Sequence, residues 1–154
     1  MSKVIVYHAP YIDSYTLAAA TITSGWLPGQ WGCLDSTGLK VRLSTSTLES
    51  QFVFIDAPTE VASPPSGSLV SCLYGPGSKI LIDHSDMVAA GTTTAAYLAY
   101  SKTDIEAASI NQLLYVDANG KFTTTQPGTG SSKARVWQVP SSTNSYGLGV
   151  WLRD

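Results

Sequence analysis

Residues 30–38, QWGCLDSTG, carry the most informative pattern in the chain, because it returns as QLLYVDANG at residues 112–120. Gln, Asp and Gly fall at the same places in both copies, and a Lys follows soon after each Gly, at Lys40 and Lys121. An Asp side chain can accept the N–H groups of a turn, and Gly supplies the positive φ that a tight turn requires. Each copy therefore predicts a β-hairpin, in which one strand ends at Asp and the next begins at Lys.

Short strand patterns run through the rest of the chain. Runs of β-branched and aromatic residues are bounded by Gly, Pro, Ser, Asn or Asp, as is typical of strands and turns. The predicted strands are 3–8, 30–35, 40–43, 51–55, 69–74, 79–83, 112–117, 121–125, 134–139 and 147–152. Helical patterns are confined to 94–100 and 102–108, where Thr103 and Glu106 resemble a capping box. The sequence predicts an all-β protein, a small β-barrel or β-sandwich with at most one short helix.

The chain of 154 residues has the length of one domain and can bury a core of its own. Residues 1–20 are predicted to form either an N-terminal arm that crosses to a neighbouring subunit or an edge strand. Residues 21–154 are predicted to form a single β-rich body, with room for an insertion at about 48–94.

Composition argues against several classes of protein. Charged residues make up 13% of the chain and the net charge is −2, whereas roughly 25% is the usual charged share. No basic cluster is present, so a nucleic-acid partner is not expected. No apolar run approaches the roughly 20 residues of a membrane span. No membrane partner is expected either, and the chain is expected to be made in a cytoplasm.

Candidate chemistry is sparse. The chain has two histidines and two cysteines, and only 83–86, read as DHSD, invites a catalytic or metal interpretation. Adjacent strand residues point to opposite faces, and a triad or zinc site needs further ligands at suitable spacing. We therefore expect a strand-end turn capped by Asp86. Cys33 and Cys72 are expected to be buried thiols, with a single bridge as the alternative. No catalytic, cofactor-binding or metal-binding residue is predicted, and an enzyme is not expected.

Aromatic residues are the main remaining signal, with four Trp, eight Tyr and three Phe. Core packing should use at least half of them, while Tyr and Trp are also favoured at protein interfaces. The predicted interface residues are Tyr7, Tyr11, Tyr15, Trp26 and Trp31. An exposed aromatic strip can also bind sugar rings, so a carbohydrate-binding module is the alternative function.

The segment LAAATITSG at 17–25, followed by the first hairpin, resembles the hairpin that opens many tailed-phage capsid decoration proteins, also called head cement proteins. The second hairpin, with strands 134–139 and 147–152, is similar to the matching part of their barrel. The resemblance covers roughly the first 45 and the last 45 residues.

The resemblance implies a small β-rich protein, usually oligomeric, that binds the outer surface of a viral head and bridges capsomers. It implies the major capsid protein and further copies of this chain, as a dimer or trimer, as partners. The implied location is the virion surface, after assembly in the host cytoplasm. A phage tail structural protein would share much of this composition and is a further alternative.

Overall fold

The computed structural model of the chain describes residues 2–18, 27–55, 69–91 and 93–153. Within these ranges the chain forms eleven strands and two five-residue α-helices, so the all-β prediction is confirmed. The strands are β1 (Lys3–His8), β2 (Tyr11–Leu17), β3 (Trp31–Leu34), β4 (Lys40–Leu43), β5 (Phe52–Phe54), β6 (Leu69–Tyr74), β7 (Lys79–Asp83), β8 (Leu113–Val116), β9 (Phe122–Thr123), β10 (Ala134–Gln138) and β11 (Leu148–Leu152). The helices are α1 (Ser85–Ala89) and α2 (Lys102–Glu106).

The strands form a sheet and a barrel. The six-stranded sheet has the order β1-β7-β11-β10-β8-β9, and every pair in it is antiparallel. The closed barrel has the order β2-β4-β3-β5-β6, with one parallel pair between β2 and β4. Strand β1 lies at the edge of the sheet, whereas β2 belongs to the barrel. Strands from the segment 48–94 are integral to both, since β5 and β6 close the barrel and β7 joins β1 to β11.

Of the two predicted helices, only the second forms an α-helix. Helix α2 forms where the second pattern predicts it, but the Glu106 carboxylate accepts a hydrogen bond from Lys102 Nζ at 2.7 Å, and no side chain caps the helix at its N-cap, Ser101. The first pattern forms only a 3₁₀ turn at Ala95–Tyr97. Helix α1, which directly follows β7, was not predicted.

Both copies of the repeated motif are hairpins with the same hydrogen bonds. Asp35 Oδ1 accepts the Thr37 and Lys40 N–H groups at 3.1 and 3.4 Å, and Asp117 Oδ1 accepts those of Asn119 and Lys121 at 2.8 and 3.0 Å. The third residue after each Asp is a Gly with a φ of 71° or 73°. The predicted turn chemistry is therefore confirmed in β3–β4 and in β8–β9.

The two hairpins also bind each other, which joins the barrel to the sheet. The Trp31 N–H donates to the Gly120 carbonyl at 2.7 Å, and Gln30 Nε2 donates to the Asn119 carbonyl at 3.0 Å. The buried Thr47 hydroxyl donates to the Val116 carbonyl and accepts the Val116 N–H, both at 3.0 Å. Backbone groups of β8 and its turn are thus satisfied by the barrel.

Two hydrophobic cores result from this arrangement. The larger core lies on the inner face of the six-stranded sheet and includes Trp31, Tyr100, Ile105 and Phe122. A smaller core fills the barrel around Phe52 and Phe54 together with Leu17, Val41, Val70 and Cys72. Burial of this aromatic and aliphatic surface drives the folding of both parts.

The two turn glycines offer a matched test of the contact between the hairpins. Gly38 and Gly120 share the same positive φ, but a Cβ at Gly38 would meet nothing within 4 Å, whereas at Gly120 it would lie 2.9 Å from the Trp31 carbonyl oxygen. We expect Gly38→Ala to cost about 1–2 kcal/mol of unfolding free energy, for the backbone conformation alone. Gly120→Ala should cost about 1–3 kcal/mol more, because the hairpins must separate. Urea unfolding measures both, and equal losses would contradict the contact.

Candidate binding surface

The outer face of the six-stranded sheet carries aromatic side chains that the core does not use. In β11, Leu148, Val150 and Leu152 are buried, while Trp151 points the other way and remains 37% exposed. In β10, Ala134 and Val136 are buried, whereas Arg135 and Trp137 belong to the outer face. We call Tyr7, Lys79, Trp137 and Trp151 the sheet-face cluster.

Lys79 lies at the centre of the sheet-face cluster. Its ammonium nitrogen is 4.9 Å from the ring centroid of Trp137 and 5.6 Å from those of Tyr7 and Trp151. Each such contact is attractive, because the face of an aromatic ring carries negative electrostatic potential. Among the described residues, no carboxylate lies within ion-pair distance of Lys79. The charge is held by rings alone and remains able to receive an anionic group.

Trp137 lies flat on the sheet because the residue beneath it is a glycine. A Cβ at Gly149 would come within 2.5 Å of the Trp137 ring. The edge of Trp137 also meets Tyr7, with centroids 5.7 Å apart and planes at 79°. The rings are therefore fixed by contact with one another and with β11, and binding a partner would cost little side-chain entropy.

A second aromatic group lies on the barrel and is called here the barrel cluster: Tyr11, Asp13, Tyr15, Phe52 and Tyr74. Tyr11 stacks on Tyr74 at 5.1 Å, and Tyr15 stacks on Phe52 at 5.5 Å. The Tyr74 hydroxyl donates to the exposed Asp13 carboxylate at 2.5 Å. This hydrogen bond raises the pKa of Tyr74 to about 12, since it favours the neutral phenol.

The barrel cluster borders an open groove of about 210 Å³. Its lining is mainly apolar and consists of Tyr15, Leu34, Gln51, Phe52 and Tyr74. The amide of Gln51 is already engaged, because its Oε1 accepts the Leu34 N–H at 2.8 Å. The groove thus offers ring faces and edges rather than a set of polar groups.

The two clusters border the same junction between sheet and barrel. The chain passes from β1 to β2 through Ala9 and Pro10, and from β6 to β7 through a turn at 75–78. These connections are in contact, since a Cβ at Gly75 would lie 3.1 Å from Pro10. Tyr7 and Tyr11 stand on either side of the first connection, and Tyr74 and Lys79 on either side of the second.

The structure brings together some of the predicted interface residues and separates others. Tyr7 and Tyr11 are each 57% exposed, and Tyr15 is half-buried beside the groove. Trp26 lies outside the described residues. The prediction for Trp31 was wrong, because the second hairpin covers β3 and leaves this side chain fully buried against Phe122.

Six members of the clusters escaped the sequence prediction: Asp13, Phe52, Tyr74, Lys79, Trp137 and Trp151. A signal for Trp137 was present in the sequence, because it shares the face of Arg135 in an alternating strand whose other face, Ala134 and Val136, is apolar. The grouping of Lys79 with three rings has no sequence signal. Its neighbours come from β1, β10 and β11, which are distant along the chain.

In the one candidate catalytic cluster, at 83–86, only His84 is buried, whereas Asp86 is exposed. His84 Nδ1 lies 3.0 Å from the Tyr146 carbonyl, and Nε2 accepts the Ala99 N–H at 3.3 Å. The ring is therefore a neutral Nδ1–H tautomer with both nitrogens occupied. The expected turn is present, but the carboxylate of Asp83, not Asp86, binds Ser85, through its N–H at 3.1 Å and its hydroxyl at 2.7 Å.

Cys33 and Cys72 are both buried thiols, which confirms that expectation. Across 2–18, 27–55, 69–91 and 93–153, no three His, Cys, Asp or Glu side chains converge as a metal ion would require. No helix in the same ranges is long and apolar enough to cross a membrane. Comparison with models of protein families and with curated proteins finds no match for this chain.

Burial of His84 predicts how stability changes with pH. Loss of hydration lowers the pKa of His84 to about 4, from 6.5 in an exposed imidazole. Below pH 6.5 the unfolded chain takes up a proton that the folded protein refuses, so the unfolding free energy should fall as pH drops from 6.5 towards 4. The loss should reach roughly 3 kcal/mol.

Urea unfolding at pH 7 and at pH 4.5 measures this loss. His84→Asn removes the titrating ring and keeps a side-chain N–H donor, so the variant should lose much less stability over the same interval. Equal losses in the two proteins would contradict the assignment to His84.

Proposed function

We propose that this chain is a structural decoration protein, which binds the outer surface of a viral head and bridges and stabilises its capsomers. The observation that supports this proposal best is the presence of two aromatic clusters beside one rigid junction. Exposed Tyr and Trp on a preorganised scaffold are favoured where proteins bind one another. The major capsid protein is the proposed partner, and the virion surface, after assembly in the host cytoplasm, is the proposed location.

The chemistry of the surface suits this role. Exposed aromatic rings form much of both clusters, and Ile5, which is 42% exposed, lies two residues before Tyr7 on β1. Charged residues are few in the whole chain, so binding should depend mainly on apolar contact and should tolerate salt. Many copies on one shell need only modest individual affinity, because each neighbour raises the effective concentration of the next contact.

The proposal is tested by co-sedimentation with emptied heads of the virus that carries the gene. The double variant Tyr7→Ala/Trp151→Ala should bind at least tenfold more weakly, because each substitution removes a large exposed ring. Tyr97→Ala is the matched control, since Tyr97 is 50% exposed and belongs to neither cluster. Failure of the unaltered protein to sediment with heads, or equal losses in both variants, would refute the proposal. Sedimentation with tails alone would favour the tail-protein alternative.

A carbohydrate-binding module is the second candidate, favoured by the flat seat of Trp137 on Gly149 and by the aromatic groove of the barrel. Sugar rings stack on such surfaces through their C–H faces. Titration with oligosaccharides should then change tryptophan fluorescence, and the change should be absent in Trp137→Ala. This candidate would be favoured if the protein binds sugars but does not co-sediment with viral heads.

A further inference from the structure

Each aromatic cluster contains one charge that no opposite charge neutralises. Lys79 is surrounded by the rings of Tyr7, Trp137 and Trp151. Asp13 is exposed and accepts a hydrogen bond from the Tyr74 hydroxyl. Neither charge belongs to the ion pairs Lys3–Asp86, Arg42–Glu49 and Lys102–Glu106. The sheet-face cluster is therefore cationic and the barrel cluster anionic.

Each of the two charges is held locally by its own cluster. Lys79 is paired in register with His8 and Trp151 on neighbouring strands. Asp13 lies opposite Cys72 in β2–β6 and is tied to Tyr74. Both are set among rings, and such surfaces carry the most binding energy when a partner supplies the missing charge.

We infer that the sheet-face cluster of one copy binds the barrel cluster of a second copy, with Lys79 pairing with Asp13 across the interface. Both charges and both aromatic surfaces are present on the same chain, so a second copy is complementary without any other protein. If two copies exchange both contacts, the assembly is a two-fold dimer, and if each copy passes the contact on, it closes as a ring. The inference rests on the proposed function, because it names the contact by which decoration subunits would join their neighbours.

Charge reversal tests the pairing directly. Lys79→Glu and Asp13→Lys should each raise the dissociation constant of the assembly by roughly tenfold or more, because like charges then meet within an apolar surface. The double variant restores an opposite pair in reverse and should regain most of the affinity. Sedimentation equilibrium over a range of protein concentrations gives the constants. Lys40→Glu and Asp86→Lys are the controls, since they make the same changes of charge outside both clusters and the Asp86 side chain is exposed.

A protein that stays monomeric at every concentration would overturn the inference, as would single variants that assemble like the unaltered chain. Failure of the double variant to recover, while circular dichroism shows the same fold, would also overturn it. The proposed function is tested separately by sedimentation with heads. A monomer that still binds heads refutes only the self-association, and an assembly that binds no head refutes only the decoration role.

Discussion

The hydrogen bond from the Trp31 N–H to the Gly120 carbonyl is the contact on which the arrangement of the molecule depends. It joins the first hairpin, which belongs to the barrel, to the turn of the second, which belongs to the sheet. The approach is close enough that no Cβ fits at Gly120. Because a buried N–H without a partner is costly, this bond also fixes which groups of β3 face the sheet. The burial of Trp31 in the larger core follows from it.

Joining the barrel to the sheet also determines what remains on the surface. The β1–β2 and β6–β7 connections cross between them side by side, where Pro10 meets Gly75. Aromatic residues at the ends of these four strands consequently border one junction. Their rings are packed against one another or against a glycine backbone. A surface built in this way loses little conformational freedom when it binds a partner.

The ionisable side chains differ in role between the core and the surface. His84 is neutral and holds two backbone groups inside the core, so its role is structural. Lys79 and Asp13 instead lie at the surface among rings, where a charge affects which partner can bind. In the proposed decoration role, the two clusters of opposite charge serve the contact between copies, and their apolar area serves the contact with the shell.

Local sequence patterns were enough to predict most of the strands, the repeated turns and the all-β class, because these depend on contacts a few residues apart. Asp35 and Asp117 bind N–H groups two to five residues away, and a repeated motif makes such bonds predictable. Strand β2 was not predicted as a strand of its own. Its first four residues are all exposed, so burial does not alternate between the two faces there. The burial of Trp31 could not be read from such patterns, since it depends on which strands and hairpins meet across long stretches of chain.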